Sequence, residues 1–287
     1  MKRLPLLLAT LLLVSACGPK EPRNRTTLNV MTFNVRYDNP DDSLNVWARR
    51  LPRVTAFLDS VAPDLLGAQE VLHNQLEDLS AALPGYDRYG VGREDGLREG
   101  EYQPLFWRRD RFRAVDKGYF WLSETPEKPS LGWDAACKRT AVWAILRDSI
   151  SGREILVMNT HLDHMGKVAR SESVKLLIER AFTLADGREI ILTGDFNATP
   201  SSPVITALGR AFRDSRQEAG WISGADWSFH DFGKISEPER ERIDYIFVSP
   251  GDLDIVRNET PAEDDSDPGH LYLSDHAPVL TELEIRY

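Results

Sequence analysis

Carboxylate, amide and imidazole side chains stand beside several short apolar runs of this sequence, and together they could hydrolyse an ester. Asp195 and Asn197 follow an apolar run and are two positions apart, which predicts that both face one side of an extended backbone. A carboxylate beside a carboxamide can hold a nucleophilic water and a polarised oxygen. Asp244 and the pair Asp275 and His276 occur in two later segments of the same kind. Three such segments predict a hydrolytic site at one edge of a sheet.

The same pattern occurs in the first half of the chain. Asn34, Glu70 and His161 each follow a predicted strand. A packed core does not need apolar runs that repeatedly end in such residues, whereas a site for cation or phosphate chemistry does. Taken singly, each has a simpler structural interpretation: Asn34 as a turn residue, Asp244 as a cap and His161 as a core histidine. The hydrolytic interpretation rests on the whole set.

The elements that must position these residues are read from hydrophobic periodicity. Helical spacing predicts helices over 47–61, 73–83 and 168–184. Alternating or continuous apolar runs predict strands over 28–33, 64–68, 102–107, 112–122, 140–146, 154–160, 189–193, 243–248 and 277–285. Strands dominate and helices are interspersed singly, which indicates a layered domain of the α/β or α+β class.

The composition limits the partners of the chain. The 287 residues are 41% hydrophobic and 28% charged, enough for one sizeable core. The formal net charge of -10 argues against a broad basic surface for nucleic acid, although a local basic patch is compatible with it. With no second linker and no repeat, residues 27–287 are predicted to form a single domain.

The N-terminus resembles a bacterial lipoprotein signal. A basic start precedes the apolar run 4–14, which is too short to span a bilayer, and small residues then precede Cys17. Residues 1–16 are predicted to be a signal peptide, Cys17 the lipidated residue and 17–26 a flexible tether. The alternative is an ordinary signal peptide cut nearby. In both cases the protein is expected outside the cytoplasm, and in the first it is lipid-anchored to a bacterial membrane.

Six motifs taken in order resemble the endonuclease/exonuclease/phosphatase superfamily. They are Thr32-Phe33-Asn34, Gln69-Glu70, Asn159-Thr160-His161, Gly194-Asp195-Phe196-Asn197, Ile243-Asp244-Tyr245 and Ser274-Asp275-His276. Each motif alone is weak, but the ordered set covers nearly all of the chain after the tether. The resemblance implies an α+β fold of the DNase I type, a four-layered β-sandwich of two mixed sheets flanked by helices, with the site at one end.

The resemblance also implies a metal ion and a phosphate contact. Glu70 would be the main ligand of Mg²⁺, with Mn²⁺ as the alternative ion, and Asn34 and Asp275 would lie in or near the coordination sphere. One dedicated glutamate is chemically sufficient, because Mg²⁺ keeps several of its waters. Arg139 would contact the substrate phosphate.

The remaining motif residues would carry the proton transfers. Asp195 would orient or deprotonate the attacking water, and Asn197 would hydrogen-bond the phosphoryl oxygens. Asp244 would fix the ring of His276, which would contact the phosphate or act as the base. His161 would stabilise or protonate the leaving group. The sequence leaves open whether Asp195 or His276 is the base.

The leading functional interpretation is a Mg²⁺-dependent hydrolase of phosphate esters, a nuclease-type phosphodiesterase acting outside the cytoplasm. The alternative is a phosphodiesterase or phosphatase of phospholipids or sugar phosphates, similar to sphingomyelinases. A non-catalytic surface binding module ranks third. The expected partners are a phosphate-ester substrate, with nucleic acid as one such substrate, and the membrane through the lipid anchor. No protein partner is predicted.

Overall fold

The apolar runs form two mixed β-sheets. The structure, a computed structural model, describes residues 24–263 and 269–287. Its strands are β1 Arg25–Asn34, β2 Leu65–Gln69, β3 Tyr86–Tyr89, β4 Leu105–Arg108, β5 Phe112–Trp121, β6 Thr140–Asp148, β7 Glu154–His161, β8 Glu189–Asp195, β9 Arg213–Asp214, β10 Trp221–Gly224, β11 Asp244–Val248, β12 Leu253–Thr260 and β13 Val279–Arg286. One sheet has the order β10-β12-β13-β1-β2-β4-β3, and the other the order β5-β6-β7-β8-β11-β9.

Helices cover the outer faces of the two sheets. They are α1 Trp47–Val61, α2 His73–Ala82, α3 Lys167–Ala185, α4 Pro203–Ala211 and α5 Ser215–Glu218, with 3-10 helices at Pro40–Asn45 and Glu237–Glu239. The core between the sheets joins Val30 and Leu65 of the first to Val157 and Ile246 of the second. A second apolar cluster lies beneath α1 and α2, and a third beneath α3 and α4. The four layers confirm the predicted α+β fold of the DNase I type.

A buried amide network joins the two sheets near one end of the sandwich. Asn159 on β7 donates to the carbonyl of Ala68 at 2.7 Å and accepts from Gln69 at 2.7 Å, both of which belong to β2. Gly67 lies at the closest approach, because a Cβ there would come within 2.2 Å of Thr193 Oγ1 and 2.7 Å of Asn159 Oδ1. Gln69 and Asn159 therefore hold the sheets in register.

The predicted elements agree closely with the structure where the apolar period is long. The helix predicted over 47–61 is found at Trp47–Val61, and Val54 and Leu58 of its apolar face are buried. The strand predicted over 102–107 is wrong at its start: β4 begins at Leu105, and Tyr102 makes only isolated bridges. Six of the described strands and α-helices went unpredicted. Four of them, β3, β9, β10 and α5, have four residues or fewer, too few to show a period, whereas β12 and α4 have eight and nine residues.

The N-terminal predictions fall largely outside the described residues. These include the signal peptide over 1–16 and the lipidation of Cys17. β1 begins at Arg25, so Arg25 and Thr26, predicted as the end of the tether, pair with β13 instead. In the described part of the chain, no helix has both the length and the apolarity needed to cross a membrane.

Candidate active site

The predicted site residues meet at a cleft of about 490 Å³ at one end of the sandwich. Seven of them line it, namely Glu70, Arg139, His161, Asp195, Asn197, Asp275 and His276. Asn34 and Asp244 lie directly behind the lining, where they contact Asp195 and His276 respectively. The structure thus brings together every predicted site residue that it describes. Cys17, the predicted lipidation site, lies outside the described residues.

His276 and Asp244 form a buried carboxylate–imidazole pair. Nδ1 of His276 lies 2.8 Å from Oδ2 of Asp244, and both side chains are buried. Burial by itself would lower the pKa of His276, but the charge and hydrogen bond of Asp244, aided by Asp195, raise it well above its usual value. His276 is therefore an imidazolium at neutral pH, with Nε2 3.8 Å from Asp195.

Asp195 occupies the centre of the cleft floor. Its Oδ2 accepts from Nδ2 of Asn34 at 3.0 Å and lies 3.5 Å from Nε2 of His161. Burial, followed by the negative charge of Asp244, raises the pKa of Asp195. A raised pKa brings this carboxylate closer to the range in which a general base operates at neutral pH.

The backbone around Asn197 differs from the extended geometry expected from its spacing. Asn197 has a φ of 45°, and its amide nitrogen donates to Oδ1 of Asp195 at 2.9 Å. The chain therefore turns between Asp195 and Asn197, and the hydrogen bond from the Asn197 amide to the Asp195 carboxylate closes this turn. Both side chains reach the cleft from it. The Asn197 carboxamide donates to the carbonyl of Leu162 at 2.9 Å and lies 3.0 Å from Nε2 of His161. A bond from this amide to a phosphoryl oxygen would have to replace the one to His161.

His161 is neutral in this arrangement. Since the carbonyl of Leu162 can only accept, the Asn197 nitrogen is the donor and Nε2 of His161 is the acceptor. Within the part of the chain that the structure describes, Nδ1 has no hydrogen-bond partner, and Glu101 is 4.0 Å away. Burial, followed by the positive charges of Arg139 and Arg93, lowers the pKa of His161 well below its usual value.

Oxygen ligands suited to a divalent cation lie on the Glu70 side. Glu70 has a strained φ of 59°, and its Oε1 accepts from Nδ2 of Asn34 at 3.1 Å. Burial raises the pKa of Asp275, and the charge of Glu70 raises it further. Glu70 is half-buried, and Asp275 is buried with Arg36 3.7 Å away. Carboxylate oxygens of this kind match the preference of Mg²⁺ and Mn²⁺.

Asp195, Asp244 and His276 also offer ligand atoms within 4.8 Å of one another. We consider this trio a poor metal centre. Nδ1 of His276 and Oδ2 of Asp244 already bond to each other, which uses one ligand atom of each residue. The oxygen set of Glu70 and Asp275 therefore fits a cation better.

Arginines on the opposite wall complete the cleft. Arg139 is 4% exposed, and its Nε and Nη1 have no hydrogen-bond partner among the described residues. Its Nη2 lies 3.2 Å from Nδ1 of His164. Arg93 donates to Glu101 at 2.6 Å. The Nε and Nη1 atoms of Arg139 lie 3.6 Å from Asp163 and 4.0 Å from Glu101, too far for hydrogen bonds, so this arginine has N–H capacity left for an anionic ligand.

Several lining residues escaped the sequence analysis. They are Arg36, Tyr37, Arg93, Glu101, Phe229 and Asp231, and most lie in loops rather than at the end of a predicted strand. Of these residues, Arg36 was the easiest to predict from the sequence, because it lies only two positions after the motif residue Asn34. Cys137 is half-buried and also lines the cleft.

Arg50 ties together the two segments that carry Arg36 and Asp275. This fully buried arginine of α1 donates to the carbonyls of Val35 at 2.7 Å, Leu273 at 2.8 Å and Arg36 at 3.1 Å. Burial lowers the pKa of Arg50 to about 10, so it stays charged at neutral pH. The site is therefore held from behind by a cation that satisfies backbone carbonyls.

Comparison with known proteins places this geometry in a family. The model of the Endonuclease/Exonuclease/phosphatase family matches residues 31–276. A Bacteroides vulgatus protein described as an endonuclease/exonuclease/phosphatase is 43% identical, with a TM-score of 0.87 over 91% of this chain and 100% of its own. A mannosyl-6-phosphatase from Bacteroides thetaiotaomicron is 36% identical, with a TM-score of 0.82 over 89% of this chain and 99% of its own.

Curated relatives match over a smaller share of their length. Nocturnin from Drosophila melanogaster is 29% identical over 185 residues, which are 53% of this chain and 29% of that protein. The chain therefore spans less than a third of that relative.

Proposed function

The chain belongs to the endonuclease/exonuclease/phosphatase family, and we propose that it is a Mg²⁺-dependent phosphatase of small sugar phosphates. That the chain is a phosphoric ester hydrolase follows from the family. The observation that carries the chemistry is the His276–Asp244 pair facing the carboxylates of Asp195 and Glu70 across one cleft. The substrate class rests on the 36% identity to a mannosyl-6-phosphatase over nearly the full length of both chains.

Glu70 and Asp275 would hold the cation, with Asn34 beside them. When bound, a divalent cation neutralises phosphoryl charge and lowers the pKa of a water. Burial and then the charge of Glu70 raise the pKa of Asp275, and a cation held by these two carboxylates would offset that repulsion.

The remaining residues take distinct roles. Asp195, central and with a raised pKa, accepts the proton of the attacking water. His276 is held as an imidazolium and stabilises the charge that develops on the phosphoryl oxygens. Arg139 lines the cleft and would attract the phosphate with its positive charge. The sequence left open whether Asp195 or His276 is the base, and these charge states favour Asp195.

His161 acts by orientation in this proposal. As a neutral acceptor, it holds the carboxamide of Asn197. Its Nδ1 lies 4.0 Å from Glu101 and has no hydrogen-bond partner among the described residues, so no proton transfer is assigned to His161 and the leaving alkoxide takes its proton from water in the cleft.

A substrate panel tests the proposal. The purified protein is assayed with Mg²⁺, Mn²⁺ or a chelator on mannose 6-phosphate, 4-nitrophenyl phosphate, bis(4-nitrophenyl) phosphate, single-stranded DNA and RNA. We expect cation-dependent release of phosphate from the monoesters, lost in Glu70→Ala. Faster cleavage of the diesters would instead support the nuclease-type phosphodiesterase, and inactivity on every substrate with both metals would support the binding module.

We also propose that Cys17 anchors the protein to a bacterial membrane from outside the cytoplasm. The sequence around Cys17 supports this, as described above. Expression of the full chain in a bacterium should place it in the membrane fraction with a lipid-modified N-terminal peptide by mass spectrometry. A Cys17→Ser chain that stays in the membrane fraction would contradict the anchor.

A further inference from the structure

We propose that Phe229 and Asp231 form a subsite for the leaving group, which binds the ring and hydroxyl groups of a sugar. Both residues line the cleft, and neither side chain has a positive charge or an N–H group to offer a phosphate. The proposal rests on the proposed function and names which part of the site selects the substrate.

The loop that carries the two residues is fastened to the reacting centre. Oγ of Ser228 accepts the amide hydrogens of Ile243 and Asp244 at 3.0 Å each. The amide of His230 donates to the carbonyl of Asp275 at 3.0 Å. The loop therefore has a fixed position relative to both the Asp244–His276 pair and the predicted cation ligand.

Phe229 offers an apolar surface next to the phosphate position. Its ring centroid lies 4.9 Å from that of His276, at an interplanar angle of 51°, and the residue is only half-buried. Because His276 would contact the phosphoryl group, the Phe229 ring lies within reach of the next atoms of the substrate. The C–H face of a sugar ring packs well on an aromatic surface, which excludes water from the ester bond.

Asp231 is a carboxylate in a cleft that must attract an anion. Its side chain is 40% exposed, and Oδ1 pairs at 3.0 Å with Lys234, which is 68% exposed. Such an exposed ion pair is weak and can be exchanged for other partners. A carboxylate would repel a second phosphate, but it accepts hydrogen bonds from hydroxyl groups. Asp231 therefore favours an uncharged polyol and disfavours a polynucleotide or a bisphosphate.

The backbone at Asp231 has an unusual left-handed conformation, and the packing of its neighbours holds it there. Asp231, Phe232 and Gly233 have successive φ values of 46°, 53° and 73°. Consecutive left-handed residues other than glycine are uncommon, and they persist where packing enforces them. The Phe232 ring lies 5.8 Å from the guanidinium of Arg50, the cation that ties the site together. The turn thus presents Asp231 from the same framework that holds the reacting groups.

The first test is Asp231→Asn in the full chain, because asparagine tolerates a left-handed conformation and changes only the charge. We expect kcat/KM for mannose 6-phosphate to fall about tenfold, the loss typical of a hydrogen bond to a charged group, and that for 4-nitrophenyl phosphate to stay within about threefold. Relative activity on glucose 1,6-bisphosphate over glucose 6-phosphate should rise. Asp186→Asn is the matched control, since Asp186 also has a φ of 46° and is 91% exposed far from the cleft.

The second test separates the two parts of the site. Phe229→Leu should raise KM for both ring-bearing substrates, while inhibition by inorganic phosphate stays within about twofold in both variants, because the phosphate contacts lie elsewhere. Parallel losses on mannose 6-phosphate, 4-nitrophenyl phosphate and inorganic phosphate would overturn the subsite. Unchanged substrate ratios in an active enzyme would overturn the subsite alone, and a wild-type chain inactive on every phosphate ester would overturn the proposed function with it.

Discussion

The two histidines of the cleft have the same side chain and nearly the same burial, but opposite charge states. His276 is 4% exposed and His161 is 3% exposed, and each lies close to Asp195. His276 has a carboxylate at 2.8 Å, and its pKa is raised against the effect of burial. The nearest carboxylate to Nδ1 of His161 is 4.0 Å away, and its pKa is lowered by burial and by arginines.

This difference shows that the distance to the nearest carboxylate decides the protonation state of a buried histidine, and with it the role that the ring can take. About 1 Å of extra separation removes the hydrogen bond that would stabilise the charged form, and then desolvation dominates. The cleft therefore contains the imidazolium of His276 and the neutral ring of His161 on opposite sides of the Asp195 carboxylate. The predictions below test this asymmetry, from the largest expected effect to the smallest.

Loss of the His276 imidazolium should have the largest effect on activity. In His276→Ala the developing phosphoryl charge loses a positioned imidazolium, and we expect kcat/KM to fall about a thousandfold, within the range for acid–base and electrostatic groups. The measurement is steady-state hydrolysis of 4-nitrophenyl phosphate, with Asp186→Asn as the control. A loss below about tenfold would contradict the role given to His276.

Removal of the carboxylate partner should convert His276 toward the state of His161. In Asp244→Asn the pKa of His276 should fall, and activity at neutral pH should drop about a hundredfold, since a neutral ring no longer stabilises the phosphate. NMR titration of the imidazole measures this pKa directly. An unchanged titration would show that burial and Asp195 alone set the charge of His276.

The same pair should affect stability in a defined direction. A raised folded-state pKa means that the pair contributes stability fully below the unfolded value of about 6.5, and that this contribution is lost as the pH rises through the folded pKa. Unfolding in urea at pH 6 and at pH 10 should therefore show a larger pH dependence in the wild type than in Asp244→Asn.

The neutral histidine should matter less. His161→Gln keeps an acceptor for the Asn197 carboxamide, and we expect a loss of about tenfold, carried mainly by kcat. The assay is the one used for His276→Ala. A loss as large as that of His276→Ala would mean that His161 transfers a proton, and the asymmetry would then be wrong.

The sequence predicted the floor of this cleft better than its walls. Asp195 and Asp244 follow or begin buried strands, and the period of those strands is visible in the sequence. Arg93, Glu101 and Asp231 lie in loops, where no period tells which way a side chain points. The pairing of His276 with Asp244 was expected from the family resemblance, but the neutral state of His161 was not, because it depends on burial and on Arg139 and Arg93, which are distant in the chain.

Fold prediction failed for a similar reason. The helix Trp47–Val61 was predicted to the residue, because its apolar positions repeat over four turns. β10 and β12 were not: β10 is the edge strand of the first sheet with three exposed residues, and only three of the eight residues of its neighbour β12 are buried. Edge strands bury too few side chains to leave a clear pattern.

The smallest effect concerns the wall on the His161 side, where Asp163 holds the loop before Arg139. Its carboxylate accepts from the amides of Gly166 at 2.7 Å, Ala136 at 3.1 Å and Cys137 at 3.2 Å. Burial alone would raise the pKa of Asp163, but these backbone hydrogen bonds prevail and lower it to about 2.

A depressed folded-state pKa contributes stability above the unfolded value and loses it as the pH falls through the folded value. The carboxylate of Asp163 is 2% exposed, so the contribution should approach about 2 kcal/mol near neutral pH and vanish between about pH 4 and pH 2. The free energy of unfolding of Asp163→Asn should therefore be lower than that of the wild type at pH 7, and the two should converge at pH 2. If the free energies of unfolding still differ by the same amount at pH 2, the effect comes from packing rather than from the charge of Asp163. The buried carboxylate would then not be what stabilises the wall beside His161.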